Sequence, residues 1–301
     1  MNRRRFLALT AAALAVPGAV SALPQEWRGQ AMGADVVLRL HGATPAQARA
    51  FFGAAMRELA HVESQFSLHS DSDLARLNRL GRLRFPSVAM QDLLALSDRL
   101  HRATGGAFDP TVQPLWLARA RGGDEAAARA LIGWHHVEWD AREIRLTRRG
   151  MALTFNGIAQ GWAADRLAGV AARHDLTDLL IDSGEFRALG PRGWPLGIAD
   201  RQGRVLRRLE LRSRALATSS PLGTRIGPGG AAHIIDPAGG GAVWDTVSVS
   251  APHAALADGL STALCTLPRA RIDAALAALP DCRVETLHPP QHGNFADIAN
   301  R

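Results

Sequence analysis

The segment LADGLSTALCTL, residues 256–267, is the feature that most constrains the fold of this chain. Its apolar residues spread around most of a helix surface: Leu256, Leu260, Ala263 and Leu267. Such a helix belongs inside a large domain, where the carboxylate of Asp258 is costly without a partner. Thr262 lies on the same face, four residues later. The pair indicates either hard oxygen ligands for Mg²⁺ or a carboxylate that accepts hydrogen bonds from the backbone of a neighbouring loop.

The composition is sufficient for a large core and argues against a nucleic-acid partner. The chain has 301 residues, 47 % of them hydrophobic, which suits one large domain or two fused halves. The isoelectric point of about 11.1 reflects a chain with neither Lys nor Tyr. Its arginines are scattered among acids, as in DLARLNRLGRLR, whereas a nucleic-acid surface gathers them.

Residues 1–22 are predicted to be an export signal rather than part of the fold. An arginine cluster precedes a short Ala/Leu stretch, and small residues stand at cleavage spacing. The apolar stretch is too short for a membrane span. Arg3, Arg4 and Arg5 before Phe6-Leu7 resemble a twin-arginine signal, with an ordinary secretory signal as the alternative. No cysteine is near the cleavage site, so we expect no lipid anchor and a soluble periplasmic domain over residues 23–301.

The two cysteines of the chain, Cys265 and Cys282, leave their pairing open. An oxidising compartment permits a disulfide without requiring one. Cys265 lies in the apolar helical segment, where a buried thiol is the commoner state.

Helical and strand patterns alternate irregularly, which favours an α+β fold over a doubly wound parallel sheet. MALTFN, residues 151–156, is predicted to be a strand that leads through Asn156-Gly157 into a helix. AAHIID, residues 231–236, is predicted to be another short strand. Residues 119–133, RARGGDEAAARALIG, are the best candidate for a linker or insertion.

Three glycine-containing segments each allow a plain and a functional interpretation. TFNGIAQG places a helix N-terminus after a turn, a geometry that receives phosphate, although a simple strand–turn–helix explains it too. In TGGAFDPTV, glycine lets the backbone lie against a flat ring, or Gly105 simply caps a helix. HIIDPAGGG is either a strand end with a turn or a titratable pair beside a ligand.

Taken together, eight ordered segments resemble the FAD:protein FMN transferases of the ApbE family. They are AMG, FSLHSDSDLARLN, TGGAFDPTVQPL, TFNGIAQGWAADRL, IDSGEFRALG, ALATSS, HIIDP and VSVSAPHAALADGLSTAL. The resemblance runs from about residue 30 to residue 267. It implies a T-fold-related α+β architecture with antiparallel or mixed sheets packed by helices, in one domain of two intertwined lobes. Its implied reaction uses Mg²⁺ to split FAD, moves FMN onto a Thr or Ser of another protein, and releases AMP.

The resemblance also assigns roles to individual residues. FAD contacts fall on Met32, His69, Gly106, Ala107, Phe108, Thr154, Gln160 and Ile235. Metal ligands fall on Gly157, Asp258, Ser261 and Thr262. His233 is similar to a histidine that deprotonates the acceptor hydroxyl. The exported form with NGIAQG looks most like the branch linked to nitrous-oxide respiration, which implies a flavinylated acceptor that is a membrane electron-transfer protein.

Several positions depart from the family pattern. His69 replaces the usual Tyr, Thr154 an Asp, Gln160 a Lys or Glu, Ser261 an Asp of some members, and Ala34 the Thr of MGT. Losing two carboxylates predicts weaker Mg²⁺ binding. Two alternatives therefore stand beside the transferase: a hydrolase that splits FAD into FMN and AMP, and a non-catalytic protein that binds or delivers FAD.

Overall fold

The computed structural model describes residues 24–290, in which strands and helices alternate irregularly. In chain order the elements are β1 (Gln25–Ala31), β2 (Ala34–Leu40), α1 (Pro45–Phe66), α2 (Asp73–Leu80), β3 (Arg82–Arg84), α3 (Val88–Ala103), α4 (Gln113–Arg121), α5 (Glu125–Arg129), β4 (Val137–Trp139), β5 (Glu143–Leu146), α6 (Ala159–Arg173), β6 (Leu179–Asp182), β7 (Phe186–Leu189), β8 (Trp194–Ala199), β9 (Val205–Leu211), β10 (Ala215–Ser219), β11 (Arg225–Ile226), β12 (Ala231–Ala232), β13 (Thr246–Ala251), α7 (Ala254–Leu264), α8 (Arg269–Ala278) and β14 (Arg283–His288). Short 3₁₀ turns add Pro110–Val112 and Trp134–His136.

The largest sheet has seven strands in the order β1-β2-β6-β7-β10-β13-β14. A three-stranded sheet has the order β3-β5-β4, and two ribbons pair β8 with β9 and β11 with β12. Every strand pairing within residues 24–290 is antiparallel. The predicted α+β class is therefore confirmed, and the described part of the chain contains no mixed sheet.

Both faces of the large sheet are covered in its centre, which explains the unbroken apolar run at β6. Leu179 and Ile181 belong to the main core, which the helices share. Leu180 points the other way, into a smaller cluster formed with the β8–β9 ribbon. Because side chains alternate along a strand, a strand buried on both faces needs apolar residues at every position.

The helix boundaries follow from local capping chemistry. Thr44 accepts from the backbone N–H of Gln47, whose side chain accepts in return from the backbone N–H of Thr44, and Pro45 occupies the first turn of α1. At α7 the capping group comes from another helix. The carboxylate of Asp165, in α6, accepts from the backbone N–H groups of Ala254 and Ala255 at 2.8 and 2.9 Å.

The predicted strand over residues 151–156 is wrong. The backbone N–H and C=O of Leu153 both bond to the side-chain amide of Asn78, at 2.7 and 2.8 Å. The next N–H, of Thr154, donates to the Pro110 carbonyl. The side chain of Asn78 thus makes the hydrogen bonds that a neighbouring strand would make. Residues 151–156 therefore do not join a sheet, although their composition is typical of a strand.

The predictions for residues 231–236 and 119–133 also need correction. Only Ala231–Ala232 of the first segment is a strand, and the rest is a loop. The second segment spans the end of α4, all of α5 and the turn between them, instead of a linker. Arg119 and Glu125 pair across this turn at 2.7 Å. Leu115 of α4, Ala128 of α5 and Ile235 of the loop pack together in a small apolar cluster.

Cys265 and Cys282 are buried free thiols, in agreement with the expectation for Cys265. The predicted export signal, residues 1–22, lies outside the described residues. Among residues 24–290 there is no helix with both the length and the apolar character needed to cross a bilayer.

Candidate active site

The crossing of α6 and α7 forms the centre of the candidate site. The backbone N–H of Gly161 donates to Asp258 Oδ2 at 3.1 Å. A side chain at Gly161 would overlap the carbonyl group of Ala254, so the two helices can approach this closely only at glycine. Burial raises the pKa of the Asp258 carboxyl to about 7, although the Gly161 hydrogen bond acts in the opposite direction. The carboxylate lies in a low-dielectric place that favours a compensating cation.

Gly157 and Thr262 lie in contact beside this carboxylate. A Cβ at Gly157 would be 3.0 Å from the hydroxyl oxygen and the methyl carbon of Thr262. The turn before α6 therefore rests directly on α7, one helical turn beyond Asp258. Three of the four predicted metal ligands are brought together by these two contacts.

Ser261, the fourth predicted ligand, is completely buried and its hydroxyl is engaged by protein groups. It donates to the Asp258 carbonyl at 3.0 Å and pairs with Ser219 Oγ at 2.8 Å. Ser219, at the end of β10, also lies 3.3 Å from Thr262 Oγ1. Ser219 thus links the two hydroxyls of α7 to the large sheet. Ser219 belongs to the segment ALATSS, and no local sequence pattern indicates its role.

Glu185 is a second buried carboxylate near Asp258 that the sequence analysis also missed. It lies in the turn between β6 and β7 and accepts from the backbone N–H of Thr218 at 3.3 Å. Burial, and then the charge of Asp258, raise the pKa of Glu185 well above its usual range, with Asp182 adding to the effect. The sequence signal was a pair of acids, Asp182 and Glu185, at the turn between two buried apolar strands.

The donor set suits Mg²⁺. No group of three His, Cys, Asp or Glu residues in the described part of the chain is arranged to hold a metal ion. Asp258 instead offers a carboxylate, Thr262 a hydroxyl, and Gly157 a backbone carbonyl. Mg²⁺ is commonly held by one or two carboxylates, with phosphate and water completing its shell. Burial raises the pKa of Asp258 and of Glu185, and a bound cation would favour the ionised form of each carboxylate.

The predicted FAD residue Gln160 lies next to this centre. The side-chain amide of Gln160 is 3.2 Å from where a Cβ on Gly184 would be. The hydroxyl of Ser183 donates to the backbone carbonyl of Gln160 at 3.5 Å. Gly184 has a φ of +97°, which glycine adopts at low cost. The β6–β7 turn and the start of α6 therefore face each other across a glycine.

The predicted backbone cradle, Gly106 to Phe108, is held by the end of α3. The Phe108 N–H donates to Thr104 Oγ1 at 3.0 Å, and the His101 ring donates to the Phe108 carbonyl at 3.0 Å. The Phe108 ring is buried, 3.4 Å from where a Cβ on Gly259 would be. Any ligand would therefore meet the backbone here, Ala107 included, rather than the aromatic ring.

Met32, His69 and Thr154 lie on separate loops. Met32 has a φ of +52° in the tight β1–β2 turn, and its N–H donates to the carboxylate of Glu63. His69 is exposed, and its N–H donates to Ser67 Oγ at 3.1 Å. Thr154 accepts from the N–H of Asn156 at 3.2 Å and so stabilises its own turn. Their assignment to FAD remains a prediction.

His233 is fixed by the loop that precedes it. Its Nδ1 donates to the carbonyl oxygens of Pro221 and Thr224, at 2.8 and 3.1 Å. Since carbonyls only accept, the proton of a neutral ring is on Nδ1 and the lone pair is on Nε2. Ile235, two residues later, is buried in the cluster under α4 and α5, so its side chain serves packing.

The amino-acid sequence matches a known protein family and curated members of it. The sequence model of the ApbE family matches residues 32–285. An FAD:protein FMN transferase of Klebsiella pneumoniae (strain 342) is 29 % identical over 233 residues, which is 66 % of this chain. The chain spans 65 % of the length of that relative.

Solved structures show the same fold. The flavin transferase ApbE from Vibrio cholerae aligns with a TM-score of 0.75 at 23 % identity, over 88 % of this chain and 93 % of that one. The apo form of the Pseudomonas stutzeri flavinyl transferase ApbE aligns with a TM-score of 0.72 at 26 % identity, over 86 % and 88 %.

Proposed function

Because this chain belongs to the ApbE family, we propose that it is an Mg²⁺-dependent flavin transferase. It moves FMN from FAD to a Thr or Ser hydroxyl of an acceptor protein and releases AMP. The observation that supports this best is the meeting of Asp258, Thr262 and Gly157 where α6 crosses α7. A bound Mg²⁺ would offset the buried carboxylates and stabilise charge on phosphoryl oxygens.

The start of α6 is suited to the pyrophosphate. No side chain caps this 15-residue helix, and the positive end of a helix dipole attracts phosphate. The Gly161 N–H in this turn is already committed to Asp258. The Ala159 N–H donates to the Phe155 carbonyl at 2.7 Å. The N–H of Gln160, between Ala159 and Gly161, would therefore bind a phosphate oxygen beside the proposed metal ligands.

His233 acts as the general base in this proposal. Its two backbone acceptors, Pro221 and Thr224, keep the Nδ1 proton in place, so Nε2 receives the proton of the acceptor hydroxyl. The acceptor oxygen forms a bond to the FMN phosphorus, and the bond from that phosphorus to the bridging oxygen breaks. AMP leaves with the bonding electron pair.

Two residues that depart from the family pattern, Thr154 and Ser261, make hydrogen bonds with their uncharged hydroxyl groups. Thr154 bonds to the backbone of its own turn, and Ser261 bonds to Ser219 and to the Asp258 carbonyl. Glu185 supplies a second buried carboxylate from another element. We infer that the site retains enough negative charge for Mg²⁺ despite the changes at Thr154 and Ser261.

We also propose that the protein is exported through the twin-arginine pathway and works in the periplasm. The proposal rests on residues 1–22 of the sequence. The acceptor would be an exported or membrane flavoprotein, and a membrane electron-transfer protein of nitrous-oxide respiration is the proposed example.

One assay tests the proposed activity against its alternatives. The purified chain is incubated with FAD, Mg²⁺ and a candidate acceptor domain, and products are followed by gel fluorescence and nucleotide chromatography. Fluorescent acceptor with equal amounts of AMP supports the transferase. AMP formed at the same rate without acceptor identifies a hydrolase, and intact bound FAD identifies a carrier.

A buried aspartate away from the site provides the matched control. Asp200 is completely buried in the turn of the β8–β9 ribbon, where it pairs with Arg204 at 3.0 Å. Asp258→Asn should abolish Mg²⁺-dependent turnover, whereas Asp200→Asn should change stability alone. Equal loss of turnover in both variants would contradict the assignment of Asp258.

A further inference from the structure

Three large apolar side chains project into solvent close together in sequence. Leu80, Phe85 and Val88 are 63, 79 and 72 % exposed. They flank the short edge strand β3, which carries Arg82 and Arg84 on its exposed face while Leu83 is buried. We call Leu80, Arg82, Arg84, Phe85 and Val88 the basic–apolar edge. None of these five residues belongs to the candidate active site.

Phe85 is held outward by an unfavourable backbone. Its φ is +50°, in the left-handed region that bulky residues rarely adopt. Its N–H donates to the Arg142 carbonyl at 2.7 Å, so the turn is anchored to the rest of the chain. Gly or Asn would adopt this backbone conformation at a lower energetic cost than Phe. The exposed aromatic ring is thus present at a cost to the fold.

Of the two arginines beside it, Arg84 has one distant ion pair, and Arg82 forms no ion pair with any residue in the described part of the chain. Arg82 lies directly opposite Arg145 in the pairing of β3 with β5, an arrangement of like charges that is unfavourable. Arg145 bonds to Glu138, and the nearest carboxylate of Arg84, on Glu143, is 4.0 Å away. Because Glu138 already compensates the charge of Arg145, the charge that remains for an anion at this pairing is that of Arg82.

A depression next to these arginines provides room for such an anion. Its volume is about 340 Å³, and its lining is made by arginines and leucines: Arg76, Leu80, Arg82, Leu83 and Arg84. Arg76 bonds to Asp73. The combination of guanidinium groups with apolar walls fits a phosphate that carries hydrocarbon.

We propose that the basic–apolar edge binds the surface of membranes that contain anionic phospholipids. Arg82 and Arg84 contact lipid phosphates, and Leu80, Phe85 and Val88 enter the boundary between headgroups and acyl chains. Charge complementarity supports this occupant, since Arg side chains are attracted to anionic headgroups. A protein partner would be expected to meet apolar residues in a groove, whereas these side chains stand out singly, as in interfacial anchors.

Vesicle flotation of the full chain tests the proposal. The vesicles contain either phosphatidylcholine alone or an equal mixture with phosphatidylglycerol. Wild-type protein should bind the anionic vesicles, and binding should weaken with added salt. Removing Arg82 and Arg84 together, as R82S/R84S, should lower binding about 25-fold, because each arginine contributes about fivefold. Residues 1–23 are present in every variant, so they do not contribute to the difference.

Two further variants separate membrane binding from stability. F85N should lower vesicle binding about tenfold while leaving the melting temperature unchanged or higher, because Asn tolerates this backbone conformation better than Phe. The matched control is V205S/R208S on β9, which removes an exposed apolar residue and an exposed arginine elsewhere. The control should bind vesicles like the wild type.

The outcomes are decisive in both directions. Selective loss of anionic-vesicle binding in R82S/R84S and F85N supports the proposal. Equal binding by all variants, or no binding by the wild type, overturns it. A basic–apolar edge that captures an acidic polypeptide but no vesicle would also overturn it. Flavin transfer to a soluble acceptor should be unaffected by these variants, so this test is independent of the proposed activity.

Discussion

Gly161 of α6 and Asp258 of α7 are linked by a hydrogen bond of 3.1 Å from backbone N–H to carboxylate oxygen. Because residue 161 has no side chain, α6 and α7 approach until the Ala254 carbonyl occupies the space beside it. The same approach brings Gly157 against Thr262. The packing of two helices and the assembly of the proposed metal site therefore depend on the same contact.

Gly161→Ala should separate the helices. The added methyl overlaps the Ala254 backbone, which cannot rotate away as a side chain can, so we expect a loss of about 1–3 kcal/mol in the free energy of unfolding. Gly169→Ala is the control on the same helix, since its Cβ meets only the flexible end of Arg173, at 3.7 Å. The control should gain up to about 1 kcal/mol. Urea unfolding of both variants measures the difference.

Asp258→Asn should lose Mg²⁺ binding without losing the fold. A neutral amide is a poor ligand for Mg²⁺, so we expect flavin transfer to fall more than about 100-fold. Isothermal titration with Mg²⁺ in the presence of FAD measures the affinity directly. Wild-type affinity in Asp258→Asn would rule out this residue as a ligand.

The stability of the metal-free protein should decrease as pH rises from about 4 through 7. The pKa of Asp258 is raised to about 7 by burial, so the folded state retains a proton that the unfolded state has already lost. Unfolding then becomes easier with rising pH. Glu185, whose pKa is also raised, contributes with the same sign.

Chemical unfolding of the metal-free protein at pH 5 and pH 8 measures this dependence. Asp258→Asn should show a smaller difference between the two pH values than the wild type. Saturating Mg²⁺ should reverse the trend for the wild type, because the metal favours the ionised carboxylate. A metal-free wild type that is more stable at pH 8 would contradict the prediction.

His233→Ala should slow flavin transfer by about 10²–10⁴-fold if the ring is the general base. FAD affinity should barely change, since the proposed nucleotide contacts are mainly backbone groups. Transfer rate, FAD binding and melting temperature are measured together for His233→Ala and His233→Asn. If activity falls only in proportion to stability, the histidine serves only to hold Pro221 and Thr224 in its loop.

Replacing Arg3, Arg4 and Arg5 by Lys should trap the precursor in the cytoplasm if the signal is of the twin-arginine type. Fractionation and immunoblotting of a tagged chain measure the processed form. Normal processing of the variant would favour the general secretory route.

Local chemistry made much of the architecture predictable. The capping residue Thr44 with Pro45, and the apolar stripe behind them, define α1 through contacts a few residues apart. The pairing of Asp258 with Thr262 follows from helical spacing, and the cost of burying a carboxylate marked it as special. Interactions of this kind are complete within one element, so they can be inferred from consecutive residues.

Other features arise from residues that are far apart in the chain. The side chain of Asn78 occupies the place of a strand partner for Leu153, which no pattern within residues 151–156 reveals. Ser219 reaches α7 from β10, and Glu185 reaches the same region from the β6–β7 turn. Their roles depend on which face and which strands of the large sheet the helices pack against.

The amino-acid pattern alone predicted the helices, the α+β class, the resemblance to a flavin-transferase family and a carboxylate that needs a partner. The groups around that carboxylate, the tautomer of His233 and the exposure of Phe85 beside Arg82 became known only from the way distant segments pack together. The reason is physical: capping and periodicity act over a few residues, whereas burial and electrostatic environment are set by all the segments that meet at one point.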